Sequence, residues 1–234
     1  MADNELFNHL YSSFPESLRE DGWYLAVASA LVATHNASKV ADLYIYLTSR
    51  KNFSTSIQRK RLSRRLRETL MKAWTLVGIP VVLEAVVALA KVERPEDKET
   101  GSARVGAELG PEVEARGTSF LQMLYKHNLQ PIFNTFGSHA AELEWLEKNV
   151  IYGLFLADFS VLGAVETELA VMPAIMCQSL RAPTIWHLRG MRRVGISDVD
   201  IQAVEEVIKV LATHFGKDSR AWPSITDVPK DSDD

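Results

Sequence analysis

The chain has 234 residues, of which 47% are hydrophobic and 24% charged, so it can bury a substantial core in one large domain or two small ones. Its net charge of −4 at pH 7 provides no positive field for nucleic acid or an anionic membrane. No uncharged stretch reaches the roughly 20 residues of a membrane span, and a single cysteine excludes an internal disulfide and a cysteine-based zinc site. We therefore expect no nucleic-acid or membrane partner. Because the amino terminus lacks a signal peptide and the last residues do not form a peroxisomal tripeptide, we expect a cytoplasmic protein.

Helical periodicity dominates the chain, and no segment alternates in the way that is typical of strands. Gly195 suits a left-handed helix cap, and Ser197 with Asp200 has the spacing of a capping box at the start of the last helix. The fold class is therefore all-α. The apolar spacing predicts helices over residues 5–14, 22–35, 39–49, 56–76, 81–92, 120–125, 140–149, 165–179, 184–194 and 198–215.

The fourth predicted helix carries a run of basic residues. These are Arg59, Lys60, Arg61, Arg64, Arg65 and Arg67. No aromatic residues that would stack on bases alternate with these charges, so the pattern favours a solvated helix face over a nucleic-acid patch.

Composition divides the chain into four segments. They are an amino-terminal helical half (1–93), a mobile surface loop (94–111), a second helical half (112–216) and a polar tail (217–234), which we expect to be partly disordered apart from Trp222. The two halves share a pattern in which a helix opening with Glu68 or Glu168 is followed by a second helix. Glu84 then falls where His187 stands in the second half, so we expect any chemistry in the second half.

Five residues of the second half form the most informative constellation in the chain. Glu168 and His187 are nineteen residues apart, on two consecutive predicted helices, and Tyr152 lies upstream. Together they provide an acid, an imidazole and a phenol, which can transfer protons and stabilise a negative charge. Trp186 and Arg189 flank the histidine and are candidates for binding a substrate.

Seen together, several short motifs resemble the carboxymuconolactone decarboxylase family, which belongs to the alkylhydroperoxidase-D-like superfamily. The resemblance extends over residues 116–215, with a weaker match over 64–89 of the kind seen in extended, fungal-type members. The motifs are Arg116-Gly117, Tyr125, Trp145, Ile151-Tyr152-Gly153, Glu168-Leu169 and His187-Leu188-Arg189-Gly190 with Gly195.

This resemblance implies an all-α, alkylhydroperoxidase-D-like bundle, with two related helix-hairpin halves, that assembles as a homo-oligomer. Redox members carry a Cys-x-x-Cys pair before the histidine. Here the matching positions hold Leu180 and Pro183, and Cys177 lies three residues too early with no second thiol to resolve it. Thiol peroxidase (peroxiredoxin-type) activity is therefore disfavoured.

Decarboxylase-type members have the glutamate and histidine without the cysteines, and this chain resembles them better. The resemblance implies a cofactor-free lyase, decarboxylase or isomerase that acts on a small, oxidised, carboxylated ring compound such as a lactone. No metal or cofactor is expected. His187 would transfer the proton, Glu168 would orient it, Tyr152 would donate a hydrogen bond, and Arg189 would anchor a carboxylate. Decarboxylase members often place a tryptophan three residues before the histidine, whereas Trp186 is adjacent to it.

Each of these residues also has a structural interpretation. His187 can be a satisfied core histidine, Glu168 can stabilise a helix start, Tyr152 can pack with its hydroxyl in water, and Arg189 can be solvated. The alternative function is therefore a non-catalytic helical protein that serves binding or assembly. An apolar face over 22–35 fits either the core or an oligomer interface.

Overall fold

The structure is a computed structural model that describes residues 3–231; the first two residues of the amino-terminal half and the last three of the tail lie outside the described residues. Within this range every regular element is a helix and there is no strand, so the predicted all-α class is confirmed. The α-helices are α1 (Asp3–Ser13), α2 (Glu16–Ala33), α3 (Lys39–Thr48), α4 (Ser56–Val77), α5 (Ile79–Val92), α6 (Pro111–Tyr125), α7 (Leu129–Asn134), α8 (Ala140–Trp145), α9 (Ala164–Met176), α10 (Arg181–Arg193) and α11 (Asp198–His214). A π-helix (Leu146–Leu156) continues directly from α8.

Some helices begin earlier than their apolar spacing predicts. α2 begins at Glu16 rather than residue 22, and α6 begins at Pro111 rather than residue 120. Proline in the first turn of α6 is followed by Glu112 and Glu114, which suit the positive end of the helix dipole. The short helix α7 was not predicted, because Pro131 within it indicated a loop.

The core is organised around α2 and α9, which pack along each other. Every residue of α2 from Gly22 to Ala33 is buried, so the face proposed for either core or interface belongs to the core. A Cβ at Gly22 would lie 2.7 Å from Leu169 Cδ1, so glycine permits this close approach of the two helices. The basic helix α4 packs against both of them.

The prediction that α4 presents all its basic residues to solvent is wrong. Arg59 and Arg65 are buried. Arg59 Nε donates to Asp97 at 2.5 Å, and Arg65 Nη2 donates to Glu166 at 2.6 Å. Two of the arginines are therefore buried because they form ion pairs with carboxylates from distant segments of the chain. Helix periodicity alone does not predict such ion pairs.

Segment 94–111 is tied to α4 through ion pairs. Besides the buried pair of Asp97 with Arg59, Arg67 binds Glu99 at 2.5 Å and Arg104 binds Glu68 at 2.6 Å. The segment contains one short 3-10 turn, Pro95–Asp97. Its mobility stays a prediction.

The tail was expected to be partly disordered apart from Trp222, but its described part packs through other residues as well. Ile225 and Val228 are buried with Trp222. The backbone N–H of Ile225 donates to Glu205 Oε1 at 2.6 Å, and Arg193 binds Asp231 at 2.6 Å. Apolar residues spaced three apart thus fix the tail against α10 and α11, although its overall composition is polar.

The π-helix is pressed against α6 by two glycines. A Cβ at Gly117 would lie 2.1 Å from the Lys148 carbonyl oxygen and 2.7 Å from the backbone nitrogen of Gly153. At the other end of the π-helix, the buried ammonium of Lys72 donates to the carbonyl oxygens of Phe155, Leu156 and Asp158 at 2.8–3.0 Å. These contacts hold the π-helix at a fixed distance from α6 and satisfy carbonyls that its end leaves unpaired.

The pairs α4–α5 and α9–α10 both consist of consecutive helices that pack against each other, in line with the proposed relation between the halves. Glu84, the counterpart of His187, is exposed on α5. Between residues 3 and 231, no helix combines the length and apolar character that crossing a bilayer would require.

Candidate functional site

Glu168 and His187 meet in the interior of the second half. His187 Nδ1 lies 3.0 Å from Glu168 Oε2 and 3.3 Å from Oε1. Glu168 is fully buried and His187 is 5% exposed. The two residues predicted to act together are therefore in hydrogen-bond contact, with the carboxylate fixing the orientation of the imidazole.

Two local features of the sequence create this contact. Glu166, not Glu168, accepts from the backbone N–H of Gly163 at 2.8 Å and so satisfies the start of α9. Glu168 is left to point toward α10. There, a Cβ at Gly190 would lie 3.1 Å from Glu168 Oε2, so glycine at this position lets α10 approach the carboxylate.

Two tyrosines extend the hydrogen-bond chain beyond the histidine. The Tyr125 hydroxyl lies 3.1 Å from His187 Nε2 and 2.8 Å from the Tyr152 hydroxyl. With neutral His187, Tyr152 donates to Tyr125, which donates to Nε2. With protonated His187, both ring nitrogens donate and the Tyr125 hydroxyl is free to donate elsewhere. Glu168, His187, Tyr125 and Tyr152 thus form one continuous chain from α9 through α10 and α6 to the π-helix.

Burial decides the protonation of both phenols. It raises the pKa of Tyr125 and of Tyr152 well above the ordinary value, and the negative charge of Glu168 acts in the same direction. Both side chains therefore remain neutral hydrogen-bond donors across the physiological pH range. Tyr125 was identified only as part of the family resemblance, and its role as the link between His187 and Tyr152 follows from the geometry.

A small cavity of about 60 Å³ adjoins this series of hydrogen-bonded side chains at Tyr125. A carboxyl group, that of Glu147, reaches it from the π-helix, and the remaining side chains are apolar or aromatic. The volume accommodates about two water molecules, taking roughly 30 Å³ for each. The lining residues are Leu121, Tyr125, Leu129, Ile132, Phe133, Phe136, Glu147 and Trp186.

Glu147 is a polar residue of this site that sequence reasoning missed. It is half-buried, and within the described part of the chain its carboxyl group has no hydrogen-bond or ion-pair partner. Burial raises its pKa, and the charge of a protonated His187 opposes this shift. In an α-helix it would be one of three glutamates with Glu142 and Glu144. No sequence signal separates it from them, because the π-helical geometry was not predicted.

The other predicted site residues lie around this centre. Trp186 lines the cavity, as its candidate role in substrate binding requires. Arg189 is absent from the lining: its Nη1 lies 3.4 Å from Asn128 Oδ1 and its Nε lies 4.0 Å from Asp231. Its predicted contact with a substrate carboxylate stays a prediction.

Cys177 is fully buried, as a core residue is. Burial raises the pKa of its thiol to about 12. A thiol in this environment is not ionised near neutral pH and is a poor nucleophile.

Two larger cavities, of about 250 and 460 Å³, lie between α4, α6 and segment 94–111. Their walls carry Arg67, Glu68, Arg104 and Asp158, which are engaged in ion pairs. Neither wall contains a histidine or a cysteine. A further cavity of about 310 Å³, between α1 and α11, has His9 and Glu206 in its lining, without a hydrogen bond between the two. The smaller cavity beside Tyr125 is the better candidate for chemistry because it adjoins the hydrogen-bonded Glu168–His187 pair.

Comparison with known proteins gives one match. The chain is similar to peroxisomal protein 2 of Schizosaccharomyces pombe, with 20% identity over 152 residues, which is 65% of this chain and 70% of that protein. No family model matches the chain. No solved structure matches it. At this identity the similarity does not establish a family.

Proposed function

We propose that this protein is a cofactor-free lyase or isomerase of the carboxymuconolactone decarboxylase type, built on an alkylhydroperoxidase-D-like bundle. One observation carries the proposal. A buried Glu168–His187 pair is hydrogen-bonded to a tyrosine that lines a largely apolar cavity. An ion pair that only stabilises the fold does not need a tyrosine that connects it to a cavity. Proton transfer between the pair and a bound ligand does need such a connecting group.

The order of the hydrogen-bonded side chains, from Glu168 through His187 to Tyr125 and Tyr152, gives each residue its role. Glu168 fixes the imidazole with Nδ1 protonated, so that Nε2 is the proton acceptor. His187 does not itself line the cavity, and the Tyr125 hydroxyl connects it to a ligand. When a substrate carbon gives its proton to the Tyr125 oxygen, that oxygen passes its own proton to Nε2. Tyr152 holds the Tyr125 hydroxyl in position from the other side.

In the decarboxylase reaction the bond between the ring and its carboxylate breaks, CO2 leaves, and the electron pair delocalises onto a carbonyl oxygen as a dienolate. His187, protonated by solvent before each turnover, then passes its Nε2 proton to Tyr125 as Tyr125 gives its own proton to the ring carbon. The cavity lining contains neither lysine nor arginine. Such surroundings disfavour a charged carboxylate and favour the more dispersed charge of the dienolate.

A ring compound is larger than the cavity, so binding requires the wall to move. Three of the apolar lining residues, Leu129, Ile132 and Phe133, belong to the short helix α7. The segment that carries it begins at Lys126 and ends at Gly137, both with positive φ, of 44° and 56°. We infer that α7 is the part of the wall that shifts to admit a substrate.

The test is CO2 release from a panel of carboxylated muconolactones, with wild type compared with His187→Gln and Glu168→Gln. General acid–base catalysis contributes about 10²–10⁴-fold, so each variant is expected to lose at least about 10²-fold. Glu142→Gln, on the exposed face of α8, is the matched control and should retain the wild-type rate. Equal rates in wild type and His187→Gln would exclude the mechanism.

The second candidate is a non-catalytic helical protein that serves binding or assembly. The small volume of the cavity favours it, because small-ligand sites generally have about 300–1,000 Å³. If this candidate is correct, His187→Gln changes stability and changes no turnover. Thiol peroxidase activity is opposed by the buried Cys177, whose pKa of about 12 keeps it protonated.

Homo-oligomer formation and location are also part of the proposal. Ile79, Leu83 and Val87 are each about half exposed and lie one turn apart along α5, which supports a self-association face. Light scattering of wild type and Leu83→Glu tests this. Cytoplasmic location is expected from the sequence, and the name of the yeast relative offers the peroxisome as the alternative. Imaging of the tagged chain beside a peroxisomal marker decides between them.

A further inference from the structure

Glu147 lines the cavity, and within the described residues its side chain forms no hydrogen bond or ion pair that would stabilise the fold. Glu144, one turn earlier, pairs with Lys148 at 2.9 Å. Glu147 has no such partner within residues 3–231, and its side chain lines the cavity together with Leu121, Phe133 and Trp186. A carboxylate left unpaired in apolar surroundings is destabilising, so a residue with this placement calls for a functional explanation.

The ionisable groups around Glu147 explain which form it takes. Tyr125 from α6 and Tyr152 from the π-helix are neutral, while Glu168 from α9 is held by His187 from α10. α7 contributes apolar side chains to the cavity, and the nearby ammonium of Lys148 is directed to Glu144. Burial, opposed by the charge of a protonated His187, raises the pKa of Glu147 and favours a neutral carboxylic acid.

We propose that Glu147 is a further catalytic residue that, as a neutral acid, donates a hydrogen bond to the oxygen of the substrate alongside the Tyr125 hydroxyl. This inference rests on the proposed function and specifies its substrate class. The ligand is a carbonyl compound whose reaction passes through an enolate or dienolate. Once Tyr125 has passed its own proton to His187 Nε2 and taken the proton of the substrate carbon, its hydroxyl donates to the oxyanion together with the Glu147 carboxylic acid.

Two donors of this kind match the charge that the reaction develops. A neutral carboxylic acid in an apolar site is a stronger hydrogen-bond donor than an amide, and a pair of such donors stabilises an enolate oxygen without a metal. Removing one oxyanion donor typically costs about 10²–10³-fold in rate. If Glu147 were ionised, it would repel the same oxygen.

The probe is nitromethane in D2O, the simplest carbon acid whose anion carries its charge on oxygen, and small enough for a cavity of about 60 Å³. Exchange breaks a C–H bond, sends the proton through Tyr125 to His187 Nε2, and moves the electron pair onto a nitro oxygen. A deuteron returns along the same path. Proton NMR measures the rate above the buffer background, in wild type and in Glu147→Gln, Glu147→Leu and Glu144→Gln.

Glu147→Leu is expected to lose at least about 10²-fold in exchange rate, because it removes the donor. Glu147→Gln keeps a hydrogen-bond donor that cannot ionise, so this variant should retain activity. As the pH rises, Glu147 ionises in wild type and no longer donates, so the exchange rate of wild type divided by that of Glu147→Gln should fall. Glu144→Gln should match wild type. Exchange in Glu147→Leu equal to wild type would overturn the inference, as would a ratio independent of pH.

Infrared spectroscopy provides a readout that needs no ligand. Just above the ordinary pKa of a glutamate side chain, the carbonyl band of a protonated carboxylic acid is expected in wild type and Glu144→Gln and should disappear in Glu147→Gln. Absence of that band in wild type would overturn the inference. A different result would contradict the proposed function itself. In that case His187→Gln would exchange nitromethane as fast as wild type, although the infrared band of the Glu147 carboxylic acid is present.

Discussion

Replacing Gly117 by alanine tests whether the close approach of α6 and the π-helix holds the site together. Gly117 lies in the middle of α6, where alanine is intrinsically favoured over glycine by about 1 kcal/mol. The added Cβ would lie 2.1 Å from the Lys148 carbonyl oxygen, and backbone atoms of Gly153 are within 3 Å. Since these contacts are with backbone, relief requires the two helices to separate by about 1 Å.

Overpacking of this kind costs roughly 1–3 kcal/mol, and a backbone contact leaves less room for adjustment than a side chain does. We expect Gly117→Ala to lower the free energy of unfolding by about 2–4 kcal/mol, after the gain in helix propensity is included. For a chain of this size the melting temperature should fall by roughly 4–16 °C. Urea unfolding and thermal melts followed by circular dichroism measure both quantities.

Gly110→Ala is the matched control. Gly110 precedes α6, has an extended φ of 179°, and has no atom within 4 Å of an added Cβ. Gly110 is the N-cap of α6, where alanine is less favourable than glycine, so this substitution should cost no more than about 1 kcal/mol. A Gly117→Ala protein as stable as wild type, or more stable, would show that the contact does not constrain the two helices.

Three further predictions concern other parts of the chain. Glu168→Gln should lower the rate of nitromethane exchange by at least about 10²-fold while circular dichroism remains unchanged, because it removes the charge that stabilises protonated His187; an unchanged rate would contradict this role. Lys72→Met should destabilise the protein by about 3–5 kcal/mol near pH 7, because it strips the carbonyls of Phe155, Leu156 and Asp158 of their donor. Burial lowers the pKa of Lys72 from 10.5 to about 8, so between these values the unfolded chain binds more protons and wild-type stability rises with pH. The difference in unfolding free energy between wild type and Lys72→Met, measured in urea, should therefore widen by up to about 3 kcal/mol as the pH rises from 8 to 10.5, and a constant difference would refute the assignment. Finally, Cys177 should react with iodoacetamide at least about 10³-fold more slowly in the native than in the unfolded protein, given a pKa raised from 9.0 to about 12; rapid native labelling would place the thiol in solvent.

Some features of this fold follow from local sequence and were predicted on that basis. The capping arrangement at Ser197, with its hydroxyl accepting from the backbone N–H of Asp200 at 3.1 Å, depends on adjacent residues. The all-α class follows from apolar spacing, which is repeated in most segments. The pairing of Glu168 with His187 required more, because its expectation rested on a resemblance to a family rather than on periodicity.

The features that were missed depend on long-range packing. Nothing in the local sequence of 146–156 distinguishes a π-helix from an α-helix; the difference arises where α6 and Lys72 meet it. The buried state of Arg59 and Arg65 depends on carboxylates 38 and 101 residues away. Likewise the tail contains few apolar residues, and its packing depends on the groove that receives Ile225 and Val228.

The π-helix also has a consequence for how this site can change during evolution. Glu147 and Tyr152 are five residues apart, which is the hydrogen-bond period of a π-helix, so both lie toward the same side. In an α-helix the same separation would rotate one about 140° from the other. Deleting one residue between them would leave a separation of four, which in an α-helix places the two residues only about 40° apart and again on one side. The pair can therefore stay together when one codon is deleted and the π-helix reverts to an α-helix, and a comparison that counts substitutions alone would overlook that change.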